Sequence, residues 1–592
     1  MLDEDRIARA PHAGAISGRL AALAEQLPHR VALRDLTSSL SFAELARRTE
    51  AVAGVLASGL PPGSGPVAVL APLDLRFHIA FLGVIRAGRI ALVLDPEHPP
   101  ERLRRIARHA GAEAVITSSE LLAQSRTLLD PGLPVIPVEQ AAQSALPAGP
   151  FPSPEAPAYI LYTSGSTGTP KGVVHSQANA LNDAAINRDQ GLTPADRGAI
   201  YYAGTIGTVR NSLGILMAGG ELNVLPARQL GAEALVAEIR RRRLSIIQCV
   251  PTLFRRIAAQ ALKDGPLDSV RLARLTGERS HWSDLDLLRQ AAGPEAELHV
   301  SIGSTECSST FAFWRVDERF RTPGGRLPVG RPIDSLRVTL VDGAGAAVAD
   351  GEPGEAVVAG PGLALGYWRE PELTAAAFGV SVDDPGLRTF ATGDICLRRP
   401  DGLIEYLGRA DRMVKIRGHR LEPDEVEVAL RNCPGVEDAV VVVRNRADGR
   451  PVALAAYAER AADGAGLRPR HLLAMLSRTL PDYMLPAAIH IGPLPRLANF
   501  KPDRQAVARM DAQTAQDRSS RRRRFAADGR ADAGAAAPLR DRDAQGRLPS
   551  QPQHRRARGL ARRADRHGAG RRGARAPGLT PPGPALSRWR HA

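Results

Sequence analysis

Lysine is nearly absent from this sequence, although basic residues are not. Of the 78 Lys and Arg among 592 residues, only Lys171, Lys263, Lys415 and Lys501 are lysines. Arginine replaces lysine on a solvated surface but not where a slim, mobile point charge is needed. Each lysine is therefore a candidate functional residue, except Lys263, whose polar surroundings (LKDGPLD) indicate a surface position.

The sequence also lacks the marks of a membrane-spanning, secreted or disulfide-bonded protein. No stretch approaches about 18 consecutive apolar residues, the length that crosses a bilayer. The charged N-terminus, MLDEDRIARAPHAG, is unlike a secretory signal. The four cysteines lie far apart without a CxxC pair, which argues against a zinc knuckle and a disulfide framework. We therefore expect a cytoplasmic protein with no membrane contact.

The C-terminal residues 511–592 lack most of what builds a folded core. They hold 20 Arg, no Lys, seven Asp and no Glu, so they carry +13 of the net charge of +15. They contain no Ile, Val or Tyr, and too few apolar residues to offset the entropy of ordering. We predict a disordered, Arg-rich tail. It is either a basic tail that binds polyanions such as nucleic acid or, the explanation we favour, a GC-rich coding region read out of frame.

Strand and helix patterns alternate over the first part of the chain. PVAVLAP (66–72) and RIALVLDP (89–96) are short apolar runs that predict buried strands. ERLRRIARHA (101–110) places apolar residues on one helical face, and AEAVIT (112–117) predicts the next strand. This β-α-β alternation predicts a mostly parallel sheet covered by helices. Residues 139–157, rich in Ala, Pro and Ser, predict a surface connection.

The pattern changes in the second part of the chain. Short strands separated by Gly, Pro and Asp predict a β-rich subdomain over 336–408. A helix over Glu422–Asn432 and a strand over 438–444 then predict a compact α+β unit. The fold class is therefore α/β, with a large N-terminal domain of α/β subdomains and a β-rich subdomain, followed by a small α+β domain. The predicted units are 15–408, 409–505 and the tail at 511–592.

The stretch YILYTSGSTGTPKGVVHS (159–176) is the strongest functional pattern. We expect a strand over 159–162, ahead of the glycines, and a helix over 179–186. Its glycines let backbone N–H groups surround an anion, its hydroxyls donate to phosphate oxygens, and Lys171 adds a mobile positive charge. The spacing differs from the GxxxxGK[ST] loop of mononucleotide-binding proteins. The candidate anion-binding residues are Thr163, Ser164, Gly165, Ser166, Thr167 and Gly168.

With this loop, the sequence resembles the acyl- and aryl-adenylating enzymes, which include the adenylation domains of nonribosomal peptide synthetases, acyl-CoA synthetases and luciferases. The resemblance covers about residues 15–505. Stretches such as KIRGHRLEPDEVE and LPDYMLP look most like the peptide-synthetase branch, which serves secondary metabolism. The further motifs that carry the resemblance are LSFAEL (40–45), LVLDPEHPPERL (92–103), GSTE (303–306), GEAVVAGPGLALGYWREPELT (354–374), a long motif from TGD to EVE (392–427) and LPRLANFKPDR (494–504).

The resemblance implies an ATP- and Mg²⁺-dependent reaction that activates a carboxylic acid as an acyl-adenylate. It implies that the loop from Thr163 to Lys171 holds the triphosphate, that Thr305 contacts phosphate and that Glu306 binds Mg²⁺. A carboxylate suits Mg²⁺, which prefers few protein oxygens together with phosphates.

The resemblance also assigns the ribose and the reacting carboxylate. Asp394 is similar to the residue that accepts the ribose hydroxyls, and Arg409 to a second ribose contact. Lys501 matches the lysine that bridges the carboxylate and the α-phosphate, although Phe500 stands where the family usually has glycine.

A second reaction is implied, in which the acyl group passes to a phosphopantetheine thiol. Asp411 stands at the family's hinge between the two domains, and Lys415 to Gly418 would line the thiol tunnel. The chain has no LGGxS-like attachment motif. If the tail is genuine, the acceptor is expected to be a separate carrier protein or CoA; if the tail is read out of frame, a carrier domain was lost from this translation. An acyl-CoA ligase remains the alternative activity.

The segment TIGTVRNSLGI (205–215) is similar to the start of the family's substrate pocket. Ile206 stands where an Asp pairs with the α-ammonium of amino acid substrates, which argues against free α-amino acids. Arg210 would either pair with a second acidic or hydroxyl group of the substrate or point to solvent. The predicted pocket residues are Ile206, Gly207 and Arg210, with Leu275, His299 and Ser301 opposite.

Three departures from the family pattern leave a non-enzymatic alternative open. Ile302 replaces an aromatic residue that often stacks on adenine, Ser304 replaces a proline, and Phe500 replaces the glycine before Lys501. An adenylation domain that has lost activity and serves as a scaffold would also show such changes.

Overall fold

The computed structural model describes most of residues 15–514. The gaps in this description are 64, 128–132, 147–148, 165–169, 203–205, 308–309, 322–326, 382–383, 411–413, 417–418, 422, 446–450, 462–463, 465, 481–483 and 498–499. The predicted hinge Asp411, as well as the tail from residue 515 onward, lies outside the described residues.

Local sequence explains where the helices begin and end. In Pro100–Ala110, proline occupies the first turn, and Gly111 ends the helix with φ of 67°. Leu103 and Ala107 lie on its buried face, as their spacing predicts. Within the described part of the chain, no helix combines the length and the hydropathy that a bilayer span requires.

The helices are distributed over the whole described part of the chain, between the strands. In chain order they are α1 (Ile16–Gln26), α2 (Phe42–Gly59), α3 (Leu75–Arg86), α4 (Pro100–Ala110), α5 (Leu122–Arg126), α6 (Val138–Ala141), α7 (Gln177–Asp189), α8 (Ile206–Met217), α9 (Ala227–Arg241), α10 (Pro251–Asp264), α11 (Trp282–Ala292), α12 (Pro371–Ala377), α13 (Pro423–Arg431), α14 (Pro469–Leu476) and α15 (504–514). The stretch predicted as a surface connection contains the short helix α6.

The strands are short and mostly buried. In chain order they are β1 (Val31–Arg34), β2 (Ser39–Ser41), β3 (Pro66–Leu70), β4 (Ile90–Leu94), β5 (Ala114–Thr117), β6 (Val135–Pro137), β7 (Pro157–Ser164), β8 (Pro170–Ser176), β9 (Arg197–Ile200), β10 (Glu221–Val224), β11 (Ile246–Cys249), β12 (Leu272–Thr276), β13 (Glu297–Ile302), β14 (Ala312–Arg315), β15 (Arg331–Pro332), β16 (Arg337–Val341), β17 (Pro353–Ala359), β18 (Gly366–Tyr367), β19 (Phe378–Val380), β20 (Arg388–Arg398), β21 (Ile404–Arg409), β22 (Val414–Ile416), β23 (His419–Leu421), β24 (Val436–Asn445), β25 (Pro451–Arg460) and β26 (Ala488–Ile491).

Two largely parallel sheets form the centre of the large domain. The seven-stranded sheet has the order β18-β8-β7-β4-β3-β5-β6, with parallel pairing from β7 to β6. The five-stranded sheet has the order β11-β12-β13-β14-β15, and its first three strands are parallel. A four-stranded sheet, β2-β1-β10-β9, completes this part. The predicted α/β class is confirmed, because parallel strands joined by covering helices make up this domain.

The subdomain predicted over 336–408 is an antiparallel sheet. Its strands run in the order β16-β17-β20-β19, and β21 pairs with β20. Val338, Val358 and Phe390 contribute to its core, which also receives Val173 from β8. This shared core joins the β-rich subdomain to the seven-stranded sheet.

The small domain packs helices on both faces of the sheet β24-β25-β26. Helices α13 and α14 cover one face through residues such as Val426 and Leu472. Val507 of α15 packs on the opposite face, against Val440 and Tyr457. The helix and strand predicted for this segment are therefore both present.

The end of the folded part differs from the boundary predicted at residues 505 and 511. Helix α15 continues to residue 514, and the side chain of Asp511 is buried. Its carboxylate accepts hydrogen bonds from Arg444 (2.8 and 2.6 Å) and from the hydroxyl of Tyr457 (3.0 Å). Composition could not reveal this, because the partners of Asp511 lie more than fifty residues earlier in the chain.

Removal of residues 511–514 should destabilise the small domain, whereas removal of the residues after 514 should not. A chain ending at 510 loses the Asp511 carboxylate, and hydrogen bonds to a charged group contribute about 1.5–3 kcal/mol. A chain ending at 514 keeps it. Chemical unfolding of both chains, followed by circular dichroism, measures the difference.

Asp511→Asn in the full chain is the matched control, and it should remove the pH dependence that the Asp511 carboxyl gives to stability. Burial raises the pKa of Asp511, but bonds from Arg444 and Tyr457 outweigh this and hold the pKa below its usual value. The stabilisation is therefore present above the unfolded-state pKa of about 3.9 and is lost as the pH falls through the folded-state value. Equal stability of the chains ending at 510 and 514 would show that Asp511 contributes nothing.

Candidate active site

The predicted phosphate loop connects two antiparallel strands. Thr163 on β7 lies opposite Lys171 on β8, and α7 begins only after β8. The expected helix is thus present, but a strand that the sequence did not reveal precedes it. Gly172 is required here, since a Cβ at this position would lie 2.9 Å from the ring of Tyr162.

Most of the loop lies outside the residues that the structure describes. Gly165, Ser166, Thr167 and Gly168 lie outside the described residues, as does the side chain of Ser164. Their role in binding the triphosphate stays a prediction.

Tyr367 links Lys171 to Glu306, and sequence reasoning missed it. Strand β18 pairs with β8, which places Tyr367 beside the strand that carries Lys171. The Lys171 Nζ lies 5.4 Å from the centre of the Tyr367 ring, and the Tyr367 hydroxyl donates to Glu306 Oε1 at 2.9 Å. Burial, followed by the nearby Glu306 carboxylate, raises the pKa of Tyr367, so its hydroxyl remains a donor.

A short 3₁₀ turn at the end of β13 holds Thr305 and Glu306. The backbone N–H of Ala364 donates to the Glu306 carbonyl (2.8 Å), and His175 Nε2 donates to the Thr305 carbonyl (2.9 Å). Burial lowers the pKa of His175 to about 4, so the ring is neutral and its Nε2 carries the proton. Both backbone contacts fix the turn, which directs Glu306 toward Tyr367.

The surroundings of Glu306 fit a magnesium ion that arrives with a nucleotide. The described residues contain no group of three or more His, Cys, Asp or Glu arranged to hold a metal. Glu306 therefore provides a single carboxylate, with one of its oxygens oriented by Tyr367. Mg²⁺ commonly binds in this way, keeping waters and taking its other ligands from phosphates.

Asp394 and Arg409 face each other across two antiparallel strands. They are directly paired in the β20–β21 register, and Arg409 Nη1 lies 3.4 Å from Asp394 Oδ1. Arg409 also donates to the Thr392 carbonyl at 3.1 Å. Gly393 has φ of 73°, and a Cβ there would lie 2.7 Å from Arg409 Nη2. The TGD motif thus combines a turn that favours glycine with a buried carboxylate.

Lys501 of the small domain reaches the end of a central strand of the large domain. Its Nζ donates to the carbonyl of Gly277, directly after β12, at 2.5 Å. The preceding Phe500 has φ of 66°, the left-handed region that favours glycine. Its ring packs against the core of the five-stranded sheet, and its carbonyl accepts from Arg496 at 3.0 Å. Phe500 therefore adopts a backbone conformation that favours glycine, and its ring adds an apolar contact.

The predicted pocket residues of β12 and β13 do not all share one face. In the parallel register, Leu275 lies beside Val300, while Arg274 lies beside His299 and Thr276 beside Ser301. Leu275 and Val300 belong to the apolar core on one side of the sheet. Side chains alternate along a strand, so the face with His299 and Ser301 carries Arg274 and Thr276. The structure thus places Leu275 away from the other predicted pocket residues.

Arg210 is directed inward, so the alternative that it points to solvent is wrong. Only 4% of Arg210 is exposed, and its Nε lies 3.8 Å from Asp183 Oδ1 on α7. Gly207 lies in the first turn of α8, which begins at Ile206, whose side chain is outside the described residues. Sequence reasoning missed Asp183 and Arg274; the period of two along β12 would have revealed Arg274.

Among the described residues, no contact links the residues assigned to thiol transfer with this site. Lys415 lies on β22, opposite Arg420 of β23, and its side chain is outside the described residues. Gly418 and Asp411 are outside them as well. The tunnel and hinge roles stay predictions.

One family model and several known proteins match this chain. The profile of the family described as AMP-binding enzyme matches residues 20–368. Tyrocidine synthase 3 of Brevibacillus parabrevis is 33% identical over 480 residues, 79% of this chain and 7% of that protein, so the chain spans only a small part of this relative.

Solved structures share the fold. A benzoate CoA ligase from Burkholderia xenovorans has a TM-score of 0.73 at 25% identity, with 83% of this chain and 99% of that one covered. NpsA of Klebsiella oxytoca, solved with 3-hydroxyanthranilyl-AMSN, has a TM-score of 0.72 at 23% identity, with 84% and 99% covered. The second likeness shows the fold alone.

Tyr367→Phe should weaken the use of Mg²⁺ while leaving the fold intact. The variant keeps the ring beneath Lys171 but no longer donates to Glu306, whose carboxylate loses its orientation. We expect the apparent affinity for Mg²⁺ at saturating ATP to fall about tenfold, the effect of one hydrogen bond to a charged group. Two readouts measure it: pyrophosphate exchange against Mg²⁺ concentration, and the shift in melting temperature caused by Mg²⁺ with ATP.

The control is Tyr457→Phe, which removes a comparable hydroxyl–carboxylate bond in the small domain. It should lower stability without changing the Mg²⁺ dependence. An unchanged Mg²⁺ dependence in Tyr367→Phe would contradict the positioning role.

Proposed function

We propose, from the premise that the chain belongs to the AMP-binding enzyme family, that it activates a carboxylic acid with ATP and passes the acyl group to the phosphopantetheine thiol of a separate carrier protein. Membership in this family confirms the prediction of an adenylating, AMP-forming ligase. The acid, the acceptor and the roles of individual residues are proposals.

The observation that carries this proposal is the position of Lys501. Forming an acyl-adenylate brings a carboxylate against the α-phosphate of ATP, and these two anions repel each other. A cation at the meeting point stabilises the charge that develops in the transition state. Lys501 reaches from the small domain to the Gly277 carbonyl at the end of β12, beside the strand face that carries Ser301.

The remaining site residues have roles that fit this centre. Thr163 and Lys171 flank the loop proposed to hold the triphosphate. Glu306, oriented by Tyr367, would hold a magnesium ion that neutralises phosphate charge. Asp394 with Arg409 would bind the ribose, since a carboxylate accepts hydrogen bonds from hydroxyls.

A carrier protein is the proposed acceptor because the motifs look most like the peptide-synthetase branch. An acyl-CoA ligase is the second candidate, and the observation that favours it is the fold shared with a benzoate CoA ligase. The inactive scaffold is disfavoured by Phe500, which departs from the family pattern yet has a backbone conformation that favours glycine, with Lys501 reaching the Gly277 carbonyl.

Lys501→Ala should lower adenylation about 10²–10³-fold, or roughly 2.7–4 kcal/mol, because it removes a charge that acts mainly in the transition state. Thioester formation from supplied acyl-adenylate should change little. Pyrophosphate exchange and thioester formation are measured separately. Lys263→Ala, at an exposed position near the end of α10, is the matched control. Equal losses in both half-reactions would refute the proposed role.

Free α-amino acids should be poor substrates. Ile206 replaces the carboxylate that pairs with an α-ammonium, and an unpaired buried ammonium costs several kcal/mol. We expect exchange with aryl, hydroxy, keto or acyl acids instead. Pyrophosphate exchange with the standard amino acids beside such acids tests this, and offering CoA beside carrier proteins decides the acceptor. Strong exchange with a common α-amino acid would overturn the proposed substrate class.

A further inference from the structure

The loop that presents Lys501 is fixed within the small domain by its own hydrogen bonds. The backbone N–H of Leu497 donates to the Lys501 carbonyl at 2.8 Å, and the guanidinium of Arg496 donates to the Phe500 carbonyl at 3.0 Å. Arg496 also binds the buried carboxylate of Asp438 at 3.1 Å. All of these partners belong to the small domain, so the bonds shape the loop without tying it to the large domain.

Phe500 connects this loop to the large domain by an apolar contact. Its half-buried ring packs against the hydrophobic core that α10 shares with the five-stranded sheet. The buried residues of that core lie between Ala199 and Leu403, all in the large domain. The next residue, Lys501, donates to the carbonyl of Gly277 in the same domain. Two consecutive residues of the loop therefore contact the large domain, the first through its ring and the second through its ammonium.

The ammonium of Lys501 fits closely where it meets the large domain. Gly277 has φ of 82°, and a Cβ at this position would lie 2.9 Å from Lys501 Nζ and 3.4 Å from its Cε. The distance from Nζ to the carbonyl oxygen is 2.5 Å, so a displacement of the loop by about 1 Å would bring it to the limit of a hydrogen bond. The position of the ammonium thus depends on how firmly the loop is held against the large domain.

The backbone of Phe500 shows that its ring, rather than its conformational preference, suits this position. Its φ of 66° is in the left-handed region, which glycine adopts without strain and phenylalanine does not. Strained residues persist where the surrounding structure holds them, and they concentrate at functional sites. A glycine would relieve the strain but would leave the core of the large domain without this contact. The ring is therefore what phenylalanine contributes.

An ion pair between the same two domains is too exposed to replace this contact. Arg256 of α10 lies 3.4 Å from Glu437 of β24, and both side chains are more than a third exposed. Exposed ion pairs contribute little, because water and salt screen them. This pair provides a matched comparison for Phe500, since it joins the two domains and lies outside the loop.

We propose that Phe500 is a positioning residue for adenylation, whose ring docks the loop on the large domain and thereby holds the Lys501 ammonium at Gly277. This inference rests on the proposed function, because it concerns the half-reaction in which Lys501 is proposed to act. Phe500 touches neither the acid nor the nucleotide in this role and acts only through Lys501. Since Lys501 stabilises charge that develops in the transition state, loss of the ring should lower kcat rather than raise KM.

The test compares three residues at position 500 in the full chain, with an acid that the chain activates. Phe500→Leu keeps an apolar side chain in the strained conformation, whereas Phe500→Gly removes the side chain together with the strain. We expect kcat for pyrophosphate exchange to fall about tenfold in Phe500→Gly, the effect of losing roughly half of a buried phenylalanine contact, with the KM for ATP nearly unchanged. Phe500→Leu should stay within about threefold of the unaltered chain. Equal or faster exchange by Phe500→Gly would overturn the inference.

Thioester formation separates positioning from general destabilisation. Formation from supplied acyl-adenylate should not fall in Phe500→Gly, because that step is not expected to use the ammonium of Lys501 at Gly277. A parallel loss in both half-reactions would show that the ring only stabilises the protein, and it would contradict the positioning role.

Amine labelling measures the docking without enzymatic turnover. The chain has only four lysines, so the reaction of each one with acetic anhydride can be followed by mass spectrometry. We expect Lys501 to react about tenfold faster in Phe500→Gly than in the unaltered chain, because the loop that has lost its apolar contact releases the ammonium from Gly277. Lys263, exposed on α10, is the reference within the same molecules and should react at an unchanged rate.

Glu437→Gln is the matched control, since it breaks the exposed ion pair between the same two domains. It should change neither the exchange rate nor the labelling of Lys501 by more than about twofold. A loss as large as that in Phe500→Gly would show that any contact between the domains has the same effect, and it would overturn the specific role of Phe500.

Failure of the proposed function is distinguishable from failure of this inference. If no carboxylic acid in a wide panel supports exchange, adenylation is refuted, and the labelling rate of Lys501 then decides whether Phe500 docks the loop. Faster labelling in Phe500→Gly would support the docking, and equal labelling of the two chains would overturn it.

Discussion

The contact between the ammonium of Lys501 and the carbonyl of Gly277 is the interaction on which the candidate site depends. It joins the small domain to the carboxyl end of a central strand, where loops of an α/β sheet commonly assemble a site. Two residues anchor the segment that carries this lysine: Arg496 binds Asp438 and the carbonyl of Phe500, and the ring of Phe500 packs against the core of the five-stranded sheet. A left-handed Phe costs of order 1 kcal/mol, and the apolar contact of its ring offsets that strain.

Burial decides which polar groups of the site are charged. It keeps His175 neutral, so the ring serves as a fixed donor to the turn that carries Glu306. It keeps the Tyr367 phenol protonated, so a donor always faces the Glu306 carboxylate. Burial likewise lowers the pKa of Arg210 and of Arg274, whose guanidinium groups lie inside the fold. The same physical effect, desolvation, thus acts on all of these groups.

Strand pairing and helix packing, rather than any single motif, bring together the polar residues around the proposed substrate pocket. Arg274 and His299 are neighbours because β12 and β13 run parallel in a fixed register, although they are separated by an entire helix in the chain. Asp183 and Arg210 meet because α7 and α8 pack together. Four elements, two strands and two helices, therefore contribute one charged or polar residue each. A shift of one residue in β12 or β13 would turn the side chain of Arg274 or His299 to the opposite face of the sheet.

The sequence by itself determined the family, the α/β class and the motifs with Lys171, Glu306, Asp394 and Lys501, because these depend on local patterns of glycine, hydroxyl and charge. Tertiary structure alone decided the face on which Leu275 lies, the inward direction of Arg210, the partner of Glu306 and the end of α15. The physical reason is that these features arise from contacts between residues far apart in the chain, where register and burial, rather than residue type, select the partners.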